Sequence, residues 1–218
     1  GTIQVFPWLS IDNNADYAVM NYHNPIYVGE GGGIWRNIAD EGKPTVPLRN
    51  PDGSLTFASA YTIGDFMYGK NGIDTKRAVF RNVTGLRTNF FDNKFRVNAD
   101  FTFRNTNNDR MQKRVQVPYS NSPGVIGYVG TTTNDLLSDL RETNYLATNI
   151  FAEYENRFGT NHYLKAMVGY NYEQSTYNRV AVQRNGLIFE DANDLNLALG
   201  QSINTGGGYE QWAILGGF

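Results

Sequence analysis

The 218-residue chain contains no cysteine, which excludes disulfide scaffolds, thiolate metal sites and cysteine nucleophiles. This absence says nothing about compartment, because a protein exposed to an oxidising environment can also do without thiols. The only two histidines, His23 and His162, fall in different parts of the chain and lack the i, i+4 helical spacing of a zinc pair. Charge is scarce, at 18% of residues with a net of −2, so the basic face of a nucleic-acid binder is not expected. Nor is there an apolar run of the roughly 18 residues that a membrane-spanning helix needs. A low mean hydropathy of −0.47 does not exclude the membrane, because only alternate residues of a barrel strand meet lipid.

Motifs that would carry chemistry are incomplete. The glycine cluster "GEGGG" (Gly29–Gly33) lacks the third glycine of a dinucleotide loop and precedes no helix, so it reads as a turn-rich loop. The acidic stretch "EDANDLN" (Glu190–Asn196) lacks the glycine and the terminal glutamate of a calcium loop. Glu153 and Glu155 share a strand face, as a glycosidase pair could, but they fit a wetted wall better. No nucleophile elbow occurs. The expectation is a protein with no catalytic residue, no metal ligand and no cofactor.

What the chain does have is aromatic residues (14%), 23 glycines and alternation. In "KFRVNADFTFRNT", Phe95, Val97, Ala99, Phe101 and Phe103 are apolar, while Arg96, Asn98, Asp100, Thr102 and Arg104 are polar. That is the two-residue period of a β-strand. Similar patterns predict strands at about 78–90, 95–105, 144–156, 163–174 and 209–218. In the last, Trp212, Ile214 and Phe218 are in phase. Short turns are expected at Asp92–Asn93 and Gly159–Thr160. Residues 1–76, rich in Asn-Pro, Gly and Pro-Asp-Gly, read as mostly irregular, with a short helix around Tyr61–Tyr68 closed by Gly69.

The fold class is therefore all-β, built of antiparallel hairpins, and two architectures share that local pattern. A soluble secreted β-sandwich binding carbohydrate would bury the apolar faces under a second sheet. A wall segment of a large transmembrane β-barrel would turn them to lipid. Connection lengths favour the barrel, since long loops (106–143 and 175–208) alternate with tight turns. Aromatics also gather beside the tight turns: Phe90, Phe91 and Phe95 at one, Tyr154, Phe158 and Tyr163 at the other, with His162 between them. On this reading residues 1–76 form an extracellular loop region. Phe95, Val97, Phe101, Phe103, Leu164, Val168 and Tyr170 face lipid; Arg96, Asp100, Arg104, Glu153, Lys165 and Asn171 face the lumen. Trp8 and Trp35, in loop-like sequence, are the candidate ligand contacts, because an indole face stacks on a sugar ring. The chain opens on "GTIQVFPWLS", without the features of a secretory leader, and stops on "EQWAILGGF" in an alternating run. It is expected to be an excerpt of a longer protein.

The stretches "TNIFAEYENRFGTNHYLKAMVGYNYEQS" and "RNGLIFEDANDLNLALGQSINTGGGYEQWAILGGF" resemble the barrel of SusC/RagA-type TonB-dependent transporters. "NPIYVGEGGGIWRN" and "LRNPDGSLTFASAYTIGDFMYG" are similar to a subgroup of that family. The resemblance implies a cell outer-membrane, multi-pass β-barrel of about 22 strands, a size that needs a plug. It implies uptake of a nutrient, glycan or peptide, with no catalysis. It also implies a SusD-like surface lipoprotein at the extracellular mouth, and energy from the TonB complex through parts absent from this chain.

Overall fold

The computed structural model describes residues 1–26, 38–40, 42–130 and 133–217. Trp35, Gly29–Gly33 and Phe218 lie outside the described residues. Among the described residues nine strands form, in the order β1 (Thr2–Phe6), β2 (Leu9–Asn24), β3 (Gly72–Phe90), β4 (Phe95–Arg114), β5 (Val117–Ser122), β6 (Val125–Val129), β7 (Asp135–Phe158), β8 (His162–Asn185) and β9 (Ser202–Gly217). Seven of them make one open antiparallel meander, β1-β2-β3-β4-β7-β8-β9; β5 and β6 pair separately as a small hairpin.

Strict up-and-down order sorts the connections by end. Pro7–Trp8, Phe91–Lys94 and Gly159–Asn161 are tight turns at one end. The connections 25–71, 115–134 and 186–201 all lie at the other. Phe91, Asp92 and Asn93 turn through three successive left-handed conformations (φ 54°, 56° and 68°), and Gly159 does the same at 66°. Asp and Asn tolerate that region and glycine is free in it, whereas a phenylalanine there is strained.

Two expectations need correcting. Residues 1–76 are not mostly irregular, since β1 and β2 occupy Thr2–Phe6 and Leu9–Asn24 and pair into the main sheet. Their alternation was masked because Asn13, Asn21 and His23 interrupt the apolar phase, while Ala18 and Met20 interrupt the polar one. The strands also run much further than the sequence pattern: β4 continues to Arg114, β7 starts at Asp135, β8 ends at Asn185 and β9 starts at Ser202. The loops 106–143 and 175–208 shrink accordingly to 115–134 and 186–201. Beyond Phe103 both faces carry polar side chains, so the period disappears from the sequence. The backbone ladder, which does not depend on side-chain polarity, goes on.

The long connections pack together as a crown. Helix α1 (Phe57–Tyr68) is capped by Thr56, whose hydroxyl accepts from Ser59 N, and ends on Gly69 in the left-handed conformation (φ 70°). Those two stops extend the expected helix by one turn at its start. One small core joins Leu55, Ala60 and Val117 with Met67, Tyr119 and Val129; another joins Val115, Leu187 and Ala198; Tyr68 packs against both. These are the only buried apolar clusters among the described residues, and neither lies under the main sheet. The fold is a single-layer sheet with a crown, not a sandwich.

Candidate functional site: two opposed faces and a crown

In an antiparallel ladder, residues directly opposite each other share a face, so register alone sorts the side chains. Phe95 lies opposite Phe90 and Tyr154, Val97 opposite Thr88 and Ala152, and Phe101 opposite Thr84 and Thr148. Phe103 lies opposite Asn82 and Leu146. Leu164, Val168 and Tyr170 fall opposite Asn156, Ala152 and Ile150, on that same face. No layer of protein among the described residues covers it: Phe101 is 43% exposed and Val168 64%.

The other face is charged. Arg96 lies opposite Glu153, Lys165 opposite Glu155, Asn171 opposite Asn149, Asp100 opposite Gly85 and Arg104 opposite Tyr145. Neighbouring side chains on this face are linked. Arg96 donates to Glu153 (2.8 Å) and Glu155 (3.2 Å), Arg87 to Asp100 (2.6 Å) and Arg81 to Asp16 (2.9 Å). The Arg104 guanidinium lies 5.1 Å from the centre of the Tyr145 ring. Every residue expected to line a lumen is thus on one face, and every residue expected to meet lipid is on the other.

The last strand differs from its apparent pattern. Its register puts Tyr209, Ala213 and Leu215 on the apolar face, opposite Asn178, Gln174 and Tyr172. Trp212 and Ile214 lie opposite Ser175 and Glu173, on the charged face. Trp212 therefore continues the rung that holds Arg104, Tyr145 and Ser175. Sequence reading missed Tyr145, Tyr177 and Trp212 as aromatics of the charged face. The signal was the odd phase of β7 and β8, which carries most of their acids and arginines, among them Asp139, Arg141, Glu153, Glu173 and Arg179.

The apolar face has a polar island inside its band, between Leu86 and Phe80. Asn13 Nδ2 donates to Asn82 Oδ1 (3.2 Å) and to Thr84 Oγ1 (2.8 Å), and Thr84 donates to Asn82 Oδ1 (3.0 Å). Leu9, Ile11 and Leu86 lie below it, and Tyr17, Val19 and Phe80 above it. The three side chains satisfy one another, which lowers the cost of placing them in an apolar surface.

Trp8 is not a loop residue at the long-connection end. It sits in the β1–β2 turn at the opposite end, stacked on Phe6 (5.3 Å between centroids, 8° between planes) and on Phe90 (5.3 Å, 27°). Phe95 continues the series at 6.2 Å from Phe90. His162 opens β8 beside the Gly159 turn, opposite Phe158. His23 Nδ1 is 2.7 Å from Asp74 Oδ1 in an exposed pair.

In the crown, the acids of Glu190–Asn196 have structural work. Tyr68 donates its hydroxyl to Glu190, Lys70 pairs with Asp191, and Asp194 caps a 3₁₀ turn at Leu195–Leu197 by accepting from Asn196 N (2.9 Å). Burial, reinforced by the Glu190 carboxylate, pushes the Tyr68 phenol up to about 12. Lys70 draws the Asp191 carboxyl below its ordinary range. Among the described residues no three histidine, aspartate or glutamate side chains converge as a metal group.

No family model matches the chain, and no curated protein does. Solved structures do. The RagAB peptide importer in its closed-closed state matches 98% of this chain with a TM-score of 0.67 at 17% identity. A second structure, of the RagAB peptide transporter, matches 99% with a TM-score of 0.67 at 17% identity. The open-open state of the importer matches 98% with a TM-score of 0.69 at 16% identity. In each case the match spans 24% of the other chain. The shared property is the fold.

Proposed function

We propose that these residues form a wall segment and extracellular crown of an outer-membrane nutrient importer of the SusC/RagA type. The observation that carries this reading is the uncovered apolar face on an open meander whose tight turns all lie at one end. The fold shared with the RagAB importer, together with the sequence resemblance, supports it. The apolar face, about nine residues tall from Phe95 to Phe103, meets outer-membrane lipid. The charged face lines the lumen. The aromatics around Trp8, Phe90, Phe95 and Phe158 sit at the periplasmic interface, where their amphipathic or flat rings are favoured. Strands continuing past Phe103 lift the crown clear of the membrane, where a SusD-like surface lipoprotein docks. Nutrient, an oligosaccharide or a peptide, passes the charged face, and TonB acts on another part of the protein. The role is passage, with no bond made or broken.

The test uses the full-length protein that carries this segment. Expressed in a Gram-negative host, it is expected in the outer membrane with heat-modifiable gel mobility. Its deletion should abolish growth on one oligosaccharide or peptide source. A protein recovered monodisperse from buffer without detergent would overturn the reading, because an apolar surface this large is not carried by soluble monomers.

A further inference from the structure

We infer that the charged face carries, just beyond the apolar band, a binding row for carboxylate-bearing ligands, built from Arg77, Arg110, Arg141 and Arg179. The inference deepens the proposed function and rests on the charged face being the lumen wall.

Arg77, Asn108, Arg141 and Arg179 are successive partners across β3, β4, β7 and β8, so they form one rung on one face. Arg110 stands on the next rung of that face, opposite Asp139. Neighbouring strands lie about 4.8 Å apart, and same-face residues of one strand about 7 Å apart. Four guanidiniums therefore crowd a patch the width of a few sugar rings or peptide units. Among the described residues their only acid within the patch is Asp139, 1% exposed, which the half-exposed Arg141 and Arg179 both grip. Arg141 reaches it through Nε (3.1 Å) and Nη2 (2.6 Å), and Arg179 through the same two atoms (both 3.0 Å). Arg110 donates to a neutral partner, Gln112 Oε1, at 2.8 Å. Arg77 is exposed and has no ion-pair partner among the described residues.

This differs from the same face at the level of the apolar band. There Arg81, Arg87 and Arg96 each hold an aspartate or glutamate of their own. Widening the patch by two rungs each way adds Arg114, Arg81 and Arg104, with Asp135, Glu210 and Asp16. Seven guanidiniums then face four carboxylates, and the excess stays positive. Asp74, Asp109 and Glu142 are near in sequence but belong to the other face by register.

Two further features belong to the same patch. Asn108, in the middle of the arginine rung, has a buried side-chain oxygen with no partner, an unsatisfied acceptor directly behind the guanidiniums. Tyr177, one rung below, offers a flat ring on the same face. Guanidinium stays charged at every physiological pH and binds carboxylate through two parallel N–H donors. Focused between low-dielectric walls, such a row would concentrate anionic nutrients at the entrance of the lumen. The shared chemistry is the carboxylate, whether of an acidic peptide or of an oligouronide.

The experiment is calorimetric titration of the full-length transporter with its surface partner. The probes are an Asp/Glu-rich peptide, its Asn/Gln counterpart, oligogalacturonate and a neutral oligogalactose. Tighter binding of one acidic probe than of its neutral counterpart is expected, and which pair shows it identifies the source. Arg77→Gln and Arg110→Gln should each weaken that probe about tenfold, the scale of one charge-assisted contact, and leave the neutral counterpart unchanged. Arg77→Lys should recover part of the loss. Equal binding of acidic and neutral probes, no binding of either, or wild-type affinity in both Gln variants overturns the inference. Because this chain contributes no thiol, Arg77→Cys and Phe101→Cys report the faces separately. Water-soluble maleimide labelling of Phe101→Cys but not Arg77→Cys would sink the lumen reading itself. The opposite labelling, without acid discrimination, would sink only the binding row.

Discussion

The hydroxyl of Tyr68 donates to the carboxylate of Glu190, joining the β2–β3 connection to the β8–β9 connection across 122 positions of sequence. The adjacent Lys70–Asp191 pair spans the same two connections. Tyr68 is also the side chain that packs against both crown cores. One residue therefore ties the loops into a unit, by packing and by a charge-assisted hydrogen bond.

That clasp should fail in alkali. The Tyr68 phenol, ordinarily near 10, is pushed up to about 12 by burial and by the Glu190 carboxylate. A folded value above the unfolded one means the contribution is complete below pH about 10 and is lost as pH rises through about 12. Amide exchange in 186–201 and around α1 is expected to accelerate across that window while the main sheet stays protected. Tyr68→Phe, which has no proton to lose, should remove the alkaline step and cost about 1–2 kcal/mol of crown stability at neutral pH. An unchanged alkaline step in that variant would assign it to another group.

Phe101 and Asp100 are sequence neighbours on opposite faces. Phe101→Arg places a cation in the apolar band and should cost roughly 2–4 kcal/mol of folding into vesicles. Asp100→Asn leaves Arg87, its half-exposed partner, to water, and should cost less than about 1 kcal/mol. Folding yield by heat-modifiable mobility ranks the two. The reverse order would mean that the faces are inverted.

Asp139 holds two arginines together from a buried position. Asp139→Asn should lower stability by about 1–3 kcal/mol in urea unfolding from vesicles. The loss stays below that of a fully buried pair because both arginines can turn to water. Asp16→Asn, whose pair with Arg81 is exposed, should lie within about 1 kcal/mol of wild type. Equal losses would show that burial does not set the value of these pairs.

Trp8→Ala removes the ring stacked between Phe6 and Phe90 and should cost about 1–2 kcal/mol, with Trp8→Phe close to wild type. Nutrient uptake per folded molecule is expected to be unaltered, since the turn lies at the end away from the crown. A selective loss of uptake in a well-folded variant would restore Trp8 as a ligand contact.

Alternation by itself determined the all-β class, two of the three tight turns and the division of β4, β7 and β8 into an apolar and a charged face. Each of these depends only on the two-residue period and on residues that tolerate left-handed turns. Where an apolar band contrasts with a wet face, as from Phe95 to Phe103, composition records the strand. Where both faces are wet, or where Asn13 and Ala18 interrupt each phase, it does not, and backbone pairing extends the strands unseen. Register then decided the rest. It carried Trp212 to the charged face, gathered Asn13 with Asn82 and Thr84, and aligned Arg77, Arg141 and Arg179. These groupings join residues far apart in sequence, and only inter-strand hydrogen bonding fixes which rung each one occupies.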